Sequence, residues 1–476
     1  MSLEFVKASF SYVITKYVVI ILNFLRTLIV AAALGPTSLG EYAFIVILLE
    51  YMHYSNLGIF HAMNKEVSVN LGKANKEKYI SRVINNTISF QFLNSLFLGL
   101  LFILFYLLES FAIIENDLLD SNYLLYIFIL AAVYQVKSFI FVYLRLFDEF
   151  FDIVKIELFS AIFVFTGIYL FIDQFGISAI LFISIVGNLL VIIPSLRKIQ
   201  TLSFLIEKPL LKSLILLALP LLLFNFLVLL TTSIDRIMIS QLVSSNKATL
   251  GIFHFGYLLS FGVMTAFNSV IFLLVPKVLR QFNSHSRDVN LMLVQTKLVE
   301  NTVMFIAVIS IIILPIFIRE FMPQYFQSIL VMQFLLLAYS INGLAFLPGT
   351  HLIANDWQLK LIPSFLLALT SACILNFLSI VLGYGIYGVA IATIFTFCIY
   401  TFGLFFVYLR LMKEPVFRGL FRIFGKVFIF SFFAIILLYE RLPIYFLLVL
   451  YLVIYGVEIF KLFKTYYPTL KSYLGW

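Results

Sequence analysis

The chain has 476 residues, of which 63% are hydrophobic and only 12% are charged, and its formal net charge at pH 7 is +9. Soluble domains contain roughly 45 to 50% apolar and about 25% charged residues, so the composition excludes a soluble globular protein. The two cysteines, Cys373 and Cys398, both fall inside apolar runs. We therefore expect neither a disulfide framework nor a cysteine metal centre.

Apolar runs of about 20 residues, the length that crosses the hydrocarbon core of a bilayer as a helix, recur along the whole chain. They predict fourteen membrane-spanning helices. In chain order these cover residues 13–34, 42–61, 83–108, 123–145, 155–173, 177–195, 213–241, 249–275, 298–318, 329–352, 361–382, 386–409, 424–440 and 443–462. The predicted fold class is therefore an all-α polytopic membrane protein.

The loop charges indicate how the chain is oriented in the membrane. Most of the 32 Lys and Arg residues fall in or beside alternate short loops. Because short loops rich in Lys and Arg stay on the cytoplasmic side, both termini are predicted to be cytoplasmic. The basic residues are spread over many loops, so the positive net charge is a topology signal and does not indicate nucleic-acid binding.

An internal repeat relates the two halves of the chain. The segment 175–180, Phe-Gly-Ile-Ser-Ala-Ile, returns in altered form at 384–389 as Tyr-Gly-Ile-Tyr-Gly-Val. We predict a six-helix bundle in residues 1–212, a second in 213–412, and two additional transmembrane helices with a cytoplasmic tail in 413–476. Since six is even, the halves are parallel repeats, an organisation found in transporters that work by alternating access.

Polar and ionisable residues follow one face of the first, second, seventh and eighth predicted spans. Such residues are costly inside a membrane and normally face a wet cavity or a partner helix. They are Lys16, Asn23 and Arg26, then Glu50, His53, His61, Asn64 and Lys65, then Asp235 and Arg236, then His254 and Asn268. Lys137 in the fourth span is a further buried cation, and Glu157 is its nearest candidate partner, although at a different depth.

Several motifs resemble those of one transporter superfamily. They are Leu34-Gly-Pro-x-x-x-Gly40-x-Tyr42, the Gly58 to Lys65 end of the second span, Ser-Ile-Asp235-Arg-Ile followed by Leu250-Gly251, and Val275-Pro-Lys-Val. In order and spacing over residues 8–410 they resemble the O-antigen-type polysaccharide flippases of the multidrug/oligosaccharidyl-lipid/polysaccharide (MOP) exporter superfamily. The second half departs from the pattern at Leu242-Val-Ser-Ser, which lacks the Gly-Pro of the first half.

The resemblance implies a function. It implies flipping of an undecaprenyl-diphosphate-linked oligosaccharide from the cytoplasmic to the periplasmic leaflet of a bacterial inner membrane, for the assembly of surface polysaccharide or lipopolysaccharide. The implied route is alternating access through a cationic central cavity. The implied partners are the lipid-linked substrate, the bilayer, and a polysaccharide polymerase with its chain-length protein. No cofactor or metal is implied.

The buried cations are candidate ligands for such a diphosphate, because guanidinium groups bind phosphate oxygens bidentately. Arg26 is the leading candidate, and the alternative is a structural Arg paired with an acidic neighbour or with helix carbonyls. Arg236, nearer the outer end of its span, either contacts the headgroup, forms a local salt bridge with Asp235, or extends its side chain toward the membrane surface. Lys65 either meets the phosphate at the cytoplasmic mouth or is one more topology lysine. We also predict that Lys137 faces the lumen.

Glu50 and His53 have two open interpretations. Both side chains can carry a coupling proton, because His titrates near neutral pH and burial favours the protonated form of Glu. The alternative is a satisfied polar pair at a helix interface.

Two other functional classes compete with the flippase. An ion-coupled multidrug or metabolite antiporter of the same superfamily favours an acidic cavity, which Arg26, Lys137 and Arg236 argue against. A membrane polymerase or glycosyltransferase needs a sizeable outer loop with acid, base and metal ligands, and the largest predicted outer loop, around 109–122, carries no such set. We therefore expect a transporter that is not an enzyme.

Overall fold

The computed structural model describes the backbone of residues 3–73, 75–110, 119–197, 199, 203–243, 247–284, 289–355 and 357–457, with side chains except in 3–14, 109–110 and 269–292. α-Helices make up nearly all of these residues, and no β-strand occurs among them. The all-α fold class predicted from the sequence is therefore confirmed.

The helices follow one another with short connections. In chain order they are α1 (Leu3–His53), α2 (Ile59–Asn70), α3 (Glu77–Ser110), α4 (Leu124–Leu146), α5 (Phe150–Leu196), α6 (Lys208–Leu242), α7 (Lys247–Ser284), α8 (Val289–Phe321), α9 (Ser328–Gly343), α10 (Phe346–Ala354), α11 (Ile362–Val381), α12 (Gly385–Leu411), α13 (Val416–Tyr439) and α14 (Tyr445–Val457).

The two longest helices, α1 and α5, are each two membrane spans joined at a glycine. A straight helix of the 47 residues in α5 would be about 70 Å long, more than twice the roughly 30 Å of the hydrocarbon core. Each helix contains one residue with non-helical dihedral angles, Gly35 at φ 66° and Gly176 at φ 54°. Glycine adopts this left-handed region without the steric cost of a β-carbon. Each of these helices thus supplies two of the predicted spans.

The repeated motif places a glycine with positive φ at the same position in both halves of the chain. Gly176 and Gly385 occupy equivalent positions in the two copies, and Gly385 has a φ of 56°. In the second copy the chain passes from α11 to α12 at this glycine. The two copies of the motif therefore share a positive-φ glycine between the fifth and sixth spans of each half.

The hydropathy prediction of fourteen spans agrees with the helices. Eleven described runs are long and apolar enough to cross a membrane, and α1 and α5 supply two of them. Counting α1 and α5 twice and adding the shorter apolar helix α14 gives the predicted number. The second span differs from the prediction of 42–61, because Leu57 and Gly58 have positive φ values and separate it from α2.

The chain folds into two compact units. Unit 1 comprises Met1–Leu229 with Ser244–Gly251, and unit 2 comprises Leu230–Val243 with Ile252–Trp476. Within unit 1, α1 and α4 pack mainly on α5, and within unit 2, α9 and α11 pack on α12. The domain boundaries predicted at 212 and 412 stay predictions.

The connection that leads from α5 to α6 is held against α3. The backbone N–H groups of Ser203 and Glu207 donate to the side-chain oxygens of Asn85 and Asn86 at 3.2 and 2.7 Å. The Arg82 Nε donates to Glu207 Oε1 at 2.6 Å. This hydrogen bond and the positive charge of Arg82 lower the pKa of Glu207. The extended segment 203–207 is thereby fixed to the surface of unit 1.

Within unit 1, the glycines of the two Leu-Gly motifs meet backbone to backbone. A β-carbon on Gly40 would overlap the carbonyl oxygen of Lys247, and a β-carbon on Gly251 would overlap the carbonyl oxygen of Pro36. Beside this contact, Lys247 Nζ lies 3.4 Å from Glu41 Oε2. The absence of side chains at both glycines therefore permits the start of α7 to pack closely on residues 36–40.

We predict that Gly40→Ala and Gly251→Ala each lower the free energy of unfolding by about 1–3 kcal/mol, because an added methyl group forces two backbones apart. Thermal unfolding of the purified protein in detergent measures the effect. The matched control is Gly99→Ala in α3, where an added β-carbon meets nothing within 4 Å. Equal melting temperatures for Gly40→Ala and Gly99→Ala would contradict the close contact.

Candidate functional site

A polar cavity of about 410 Å³ lies inside unit 1, between the first half of α1, α4 and both halves of α5. Its walls carry four of the eight Asp, Glu, Lys and Arg residues that fall inside the first six predicted spans. The lining residues are Lys16, Val19, Ile20, Asn23, Arg26, Tyr134, Lys137, Phe141, Glu157, Ser160, Ala161, Val164, Ser184 and Asn188. The structure thus brings together four residues singled out from the sequence, Lys16, Asn23, Arg26 and Lys137.

Arg26 is half-buried in the wall of this cavity. Among the described residues, no carboxylate or hydrogen-bond acceptor pairs with its guanidinium group. The neighbouring turn of α1 is internally satisfied, because Thr27 Oγ1 donates to the backbone oxygen of Asn23 at 2.9 Å. A guanidinium group has five N–H donors in a fixed fork, so Arg26 presents to the cavity the donor set that a phosphate group accepts.

Lys137 is held in place by uncharged groups on α5. Its Nζ donates to Asn188 Oδ1 at 2.6 Å and to Ser160 Oγ at 3.2 Å. Asn188, only 3% exposed, is itself fixed because its Nδ2 donates to the backbone oxygen of Ser184 at 2.6 Å. An ammonium group has three donors, so these two bonds leave one donor of Lys137 for a ligand.

Glu157 forms its ion pair with Lys16, whereas the sequence offered it as the nearest partner of Lys137. Lys16 Nζ donates to Glu157 Oε1, and the side chains of Lys16 and Glu157 are 40% and 8% exposed. The other oxygen, Glu157 Oε2, is buried without a hydrogen-bond partner in the part of the chain that the structure describes. The carboxylate is therefore incompletely satisfied within the protein.

The charged groups lining the cavity do not cancel. Lys16, Arg26 and Lys137 are cationic, and Glu157 is the one carboxylate among the described lining residues. The cavity therefore has a formal charge of +2 inside membrane-spanning helices. Because isolated charges are costly to desolvate, such a cavity is suited to bind an anion or retain water.

The candidates on the second predicted span lie outside this cavity. His53, His61 and Lys65 are exposed, and Glu50 is partly buried. Asn64 Oδ1 accepts from the Arg145 guanidinium at 3.3 Å. The roles proposed for these residues at a cytoplasmic mouth or in proton coupling stay predictions.

The candidates of α6 and α7 have surroundings different from those of Arg26. Arg236 is 1% exposed, its guanidinium lies 4.0 Å from the ring centroid of Tyr257, and its Nε lies 3.9 Å from Asp235 Oδ1. His254 stacks on the same tyrosine ring at 5.6 Å. Asn268 is partly buried in α7, and its Oδ1 has no partner among the described residues. The contacts of Arg236 within unit 2 include the local salt bridge with Asp235 that the sequence left open as one alternative.

Sequence reasoning missed the polar residues of α5 that complete the cavity. Ser160 is three residues after Glu157, and Ser184 is four residues before Asn188. Residues at these separations share a helix face, so each half of α5 carries a short polar stripe. These were not singled out, because a few small polar residues in a strongly apolar span are ordinary in membrane helices.

No known family profile matches the chain, and no match was found among curated proteins. Its fold resembles that of the lipid II flippase MurJ in an inward closed conformation, with a TM-score of 0.64 and 17% identity, covering 95% of this chain and 99% of that one. An inward-facing multidrug resistance MATE family transporter of the MOP superfamily gives 0.62 and 10%, covering 82% and 94%. A mutant of the Vibrio cholerae MATE transporter VcmN gives 0.58 and 16%, covering 87% and 98%. At these identities the likeness shows the fold.

We predict that Asn188→Ala and Lys137→Met are coupled, because each removes a partner of the same buried hydrogen bond. In a double-mutant cycle their effects on the free energy of unfolding should depart from additivity by about 1–3 kcal/mol. Denaturation by SDS in mixed micelles supplies the four values. Asn188→Ala combined with Lys155→Met, an exposed lysine of the same helix, is the control and should be additive. Additivity in both cycles would mean that Asn188 does not hold Lys137.

Proposed function

We propose that the protein is a flippase for an undecaprenyl-diphosphate-linked oligosaccharide, moving it from the cytoplasmic to the outer leaflet of a bacterial inner membrane by alternating access. The observation that carries this proposal is the cavity of unit 1, which has a formal charge of +2 and holds an Arg without a described partner. Both termini are proposed to be cytoplasmic. The proposed transport involves no covalent step, so we propose a transporter and not an enzyme.

The charge of the cavity matches the headgroup of such a lipid. A diphosphate esterified at both ends carries two negative charges, one on each phosphate. Arg26 offers a bidentate fork and Lys137 a point charge, and proteins use both to bind phosphate oxygens. Both interactions strengthen in a cavity screened from bulk water. The substrate would thereby neutralise charges that the protein itself leaves unbalanced.

The fold supports the same class of function. One of the structures that this fold resembles is that of a lipid II flippase, and the likeness extends over 99% of that chain. Carrying a lipid-linked substrate across a bilayer is therefore within the known uses of this fold. A polysaccharide polymerase and a chain-length protein are proposed as partners, because a flipped repeat unit must be polymerised outside.

The second candidate is an ion-coupled multidrug or metabolite antiporter. The similarity of the fold to MATE transporter structures suggests this alternative. Many such drugs are cations, and Lys16, Arg26 and Lys137 would repel them. The carboxylate of Glu157 is engaged by Lys16. The chemistry of this cavity therefore favours an anionic substrate.

We predict that Arg26→Ala lowers flipping of a lipid-linked diphosphate oligosaccharide about 10- to 100-fold, the range expected for losing hydrogen bonds to a charged group. Arg26→Lys should keep partial activity, because it retains the charge but loses the fork. Purified variants reconstituted in vesicles, with a fluorescent substrate and an impermeant quencher, give the rates. In cells, deletion of the gene should leave complete lipid-linked units at the cytoplasmic leaflet.

The matched control is Arg418→Ala, which removes an exposed arginine near the start of α13. Its flipping rate and membrane insertion should equal those of the wild type. Normal flipping by Arg26→Ala would remove Arg26 from the site. Normal surface glycan in the deletion strain would reject the proposed function.

A further inference from the structure

Among the charged residues that the structure describes in the cavity wall, Glu157 is the one whose presence does not follow from anion binding. A carboxylate repels a phosphate, yet Glu157 lies in the same wall as Lys16, Arg26 and Lys137. Only 8% of its surface is exposed, so Glu157 lines the cavity from a position that is largely shielded from solvent. Its presence lowers the formal charge of the cavity from +3 to +2.

The geometry of Glu157 differs from that of a carboxylate with a purely structural role. Buried carboxylates in native proteins normally have both oxygens hydrogen-bonded. Oε1 is engaged by Lys16, but Oε2 has no partner in the described part of the chain. Lys16 is 40% exposed and lines the cavity. The pair is therefore open toward the cavity, where an incoming anion can reach the ammonium group.

We propose that Glu157 is a resident counter-ion that engages Lys16 in the empty cavity and competes with the phosphate of the substrate for it. This inference rests on the proposed function. It adds a role for Glu157, whose contact with Lys16 the substrate must partly displace. A transporter has to bind its substrate tightly enough to capture it and weakly enough to release it. By lowering the positive charge of the cavity, Glu157 keeps the affinity for the substrate between these two limits.

The consequence is an exchange of charge partners during transport. When the diphosphate enters, its oxygens take over Lys16 along with Arg26 and the remaining donor of Lys137. When the substrate leaves, Glu157 restores its ion pair with Lys16. The emptied cavity then has a formal charge of +2 and not +3, so the cost of buried positive charge that opposes release is reduced.

Glu157→Gln tests the proposal because it removes one charge and nearly conserves shape. The probes are citronellyl-diphospho-N-acetylglucosamine and citronellyl-phospho-N-acetylglucosamine, which share a sugar and a tail and differ by one charge. Isothermal titration of the full-length protein in detergent should show the diphosphate bound at least about tenfold more tightly by Glu157→Gln than by wild type. The gain for the monophosphate should be about the square root of that factor, since Coulomb energy is linear in charge.

Flipping by Glu157→Gln should be slower than by wild type, although the variant binds the diphosphate more tightly. In reconstituted vesicles, Glu157→Gln should lower both KM and the maximal flipping rate, because release becomes slow. A carboxylate that only stabilised the fold would instead reduce the binding of both probes and lower the melting temperature. Glu149→Gln, an exposed carboxylate at the N-terminal cap of α5, is the matched control and should leave affinity and rate unchanged.

The double variant Lys16→Gln/Glu157→Gln covers the case in which Glu157→Gln alone does not fold, because it removes both members of the ion pair. It keeps the formal charge of +2, so its affinity for the diphosphate should return to within about threefold of wild type. Lys16→Gln alone should bind the diphosphate more weakly than either.

The outcomes separate the two proposals. If wild type binds the diphosphate probe but Glu157→Gln binds it no more tightly, the counter-ion role is wrong and the flippase proposal stands. Loss of binding in the double variant would likewise overturn the counter-ion role. If wild type binds neither probe, the proposed function fails and this inference fails with it.

Discussion

The structure depends on one constraint, the cost of keeping charged groups inside a membrane. Transferring an ammonium or guanidinium group out of water costs several kcal/mol per ion even after the protein relaxes. Unit 1 nevertheless holds Lys16, Arg26 and Lys137 in one cavity, with Glu157 as the carboxylate among the described lining residues. Such an arrangement persists when the cavity holds water or an anion, and it is the basis of the proposed function.

The backbone of unit 1 explains how these charges meet. Glycine breaks at Gly35 and Gly176 fold α1 and α5 into pairs of crossing segments. Packing of α1 and α4 on α5 then places Lys137 against the polar stripe of α5. Each cation is treated differently: Lys16 has a carboxylate, Lys137 has an amide and a hydroxyl, and Arg26 has no described partner. The three cations therefore differ in how many of their hydrogen-bond donors already have a partner within the protein. Arg26 has the most donors available.

Much of this fold could be predicted from the sequence, because helices in lipid must satisfy their backbone internally and their apolar length is fixed by the bilayer. The predicted spans ended at 173 and 382 and resumed at 177 and 386, and the positive-φ residues Gly176 and Gly385 lie in these two gaps. The break at Leu57 and Gly58 was not predicted, since the apolar pattern continues through it. Hydropathy reports the environment of a residue, and it does not report the local dihedral angles that end a helix.

The candidate site was predictable in part for a related reason. Charged residues in apolar spans are visible in a sequence, so Lys16, Arg26 and Lys137 were singled out. Their partners depend on helix rotation and packing, which no single sequence fixes. Asn188 supports Lys137, and Arg236 is enclosed beside Tyr257 and Asp235 although its position in the sequence parallels that of Arg26. Sequence equivalence between repeats therefore did not carry over to equivalent surroundings.

The central claim is that the headgroup of a lipid-linked glycan enters the cavity of unit 1. The most direct measurement is photo-crosslinking in cells, with p-benzoylphenylalanine replacing Tyr134 in the cavity wall or, as a control, the exposed Phe159 on α5. The account predicts capture of the lipid-linked glycan at position 134, with little capture at 159. Equal labelling at the two positions, or none at 134 in a normally inserted protein, would contradict it.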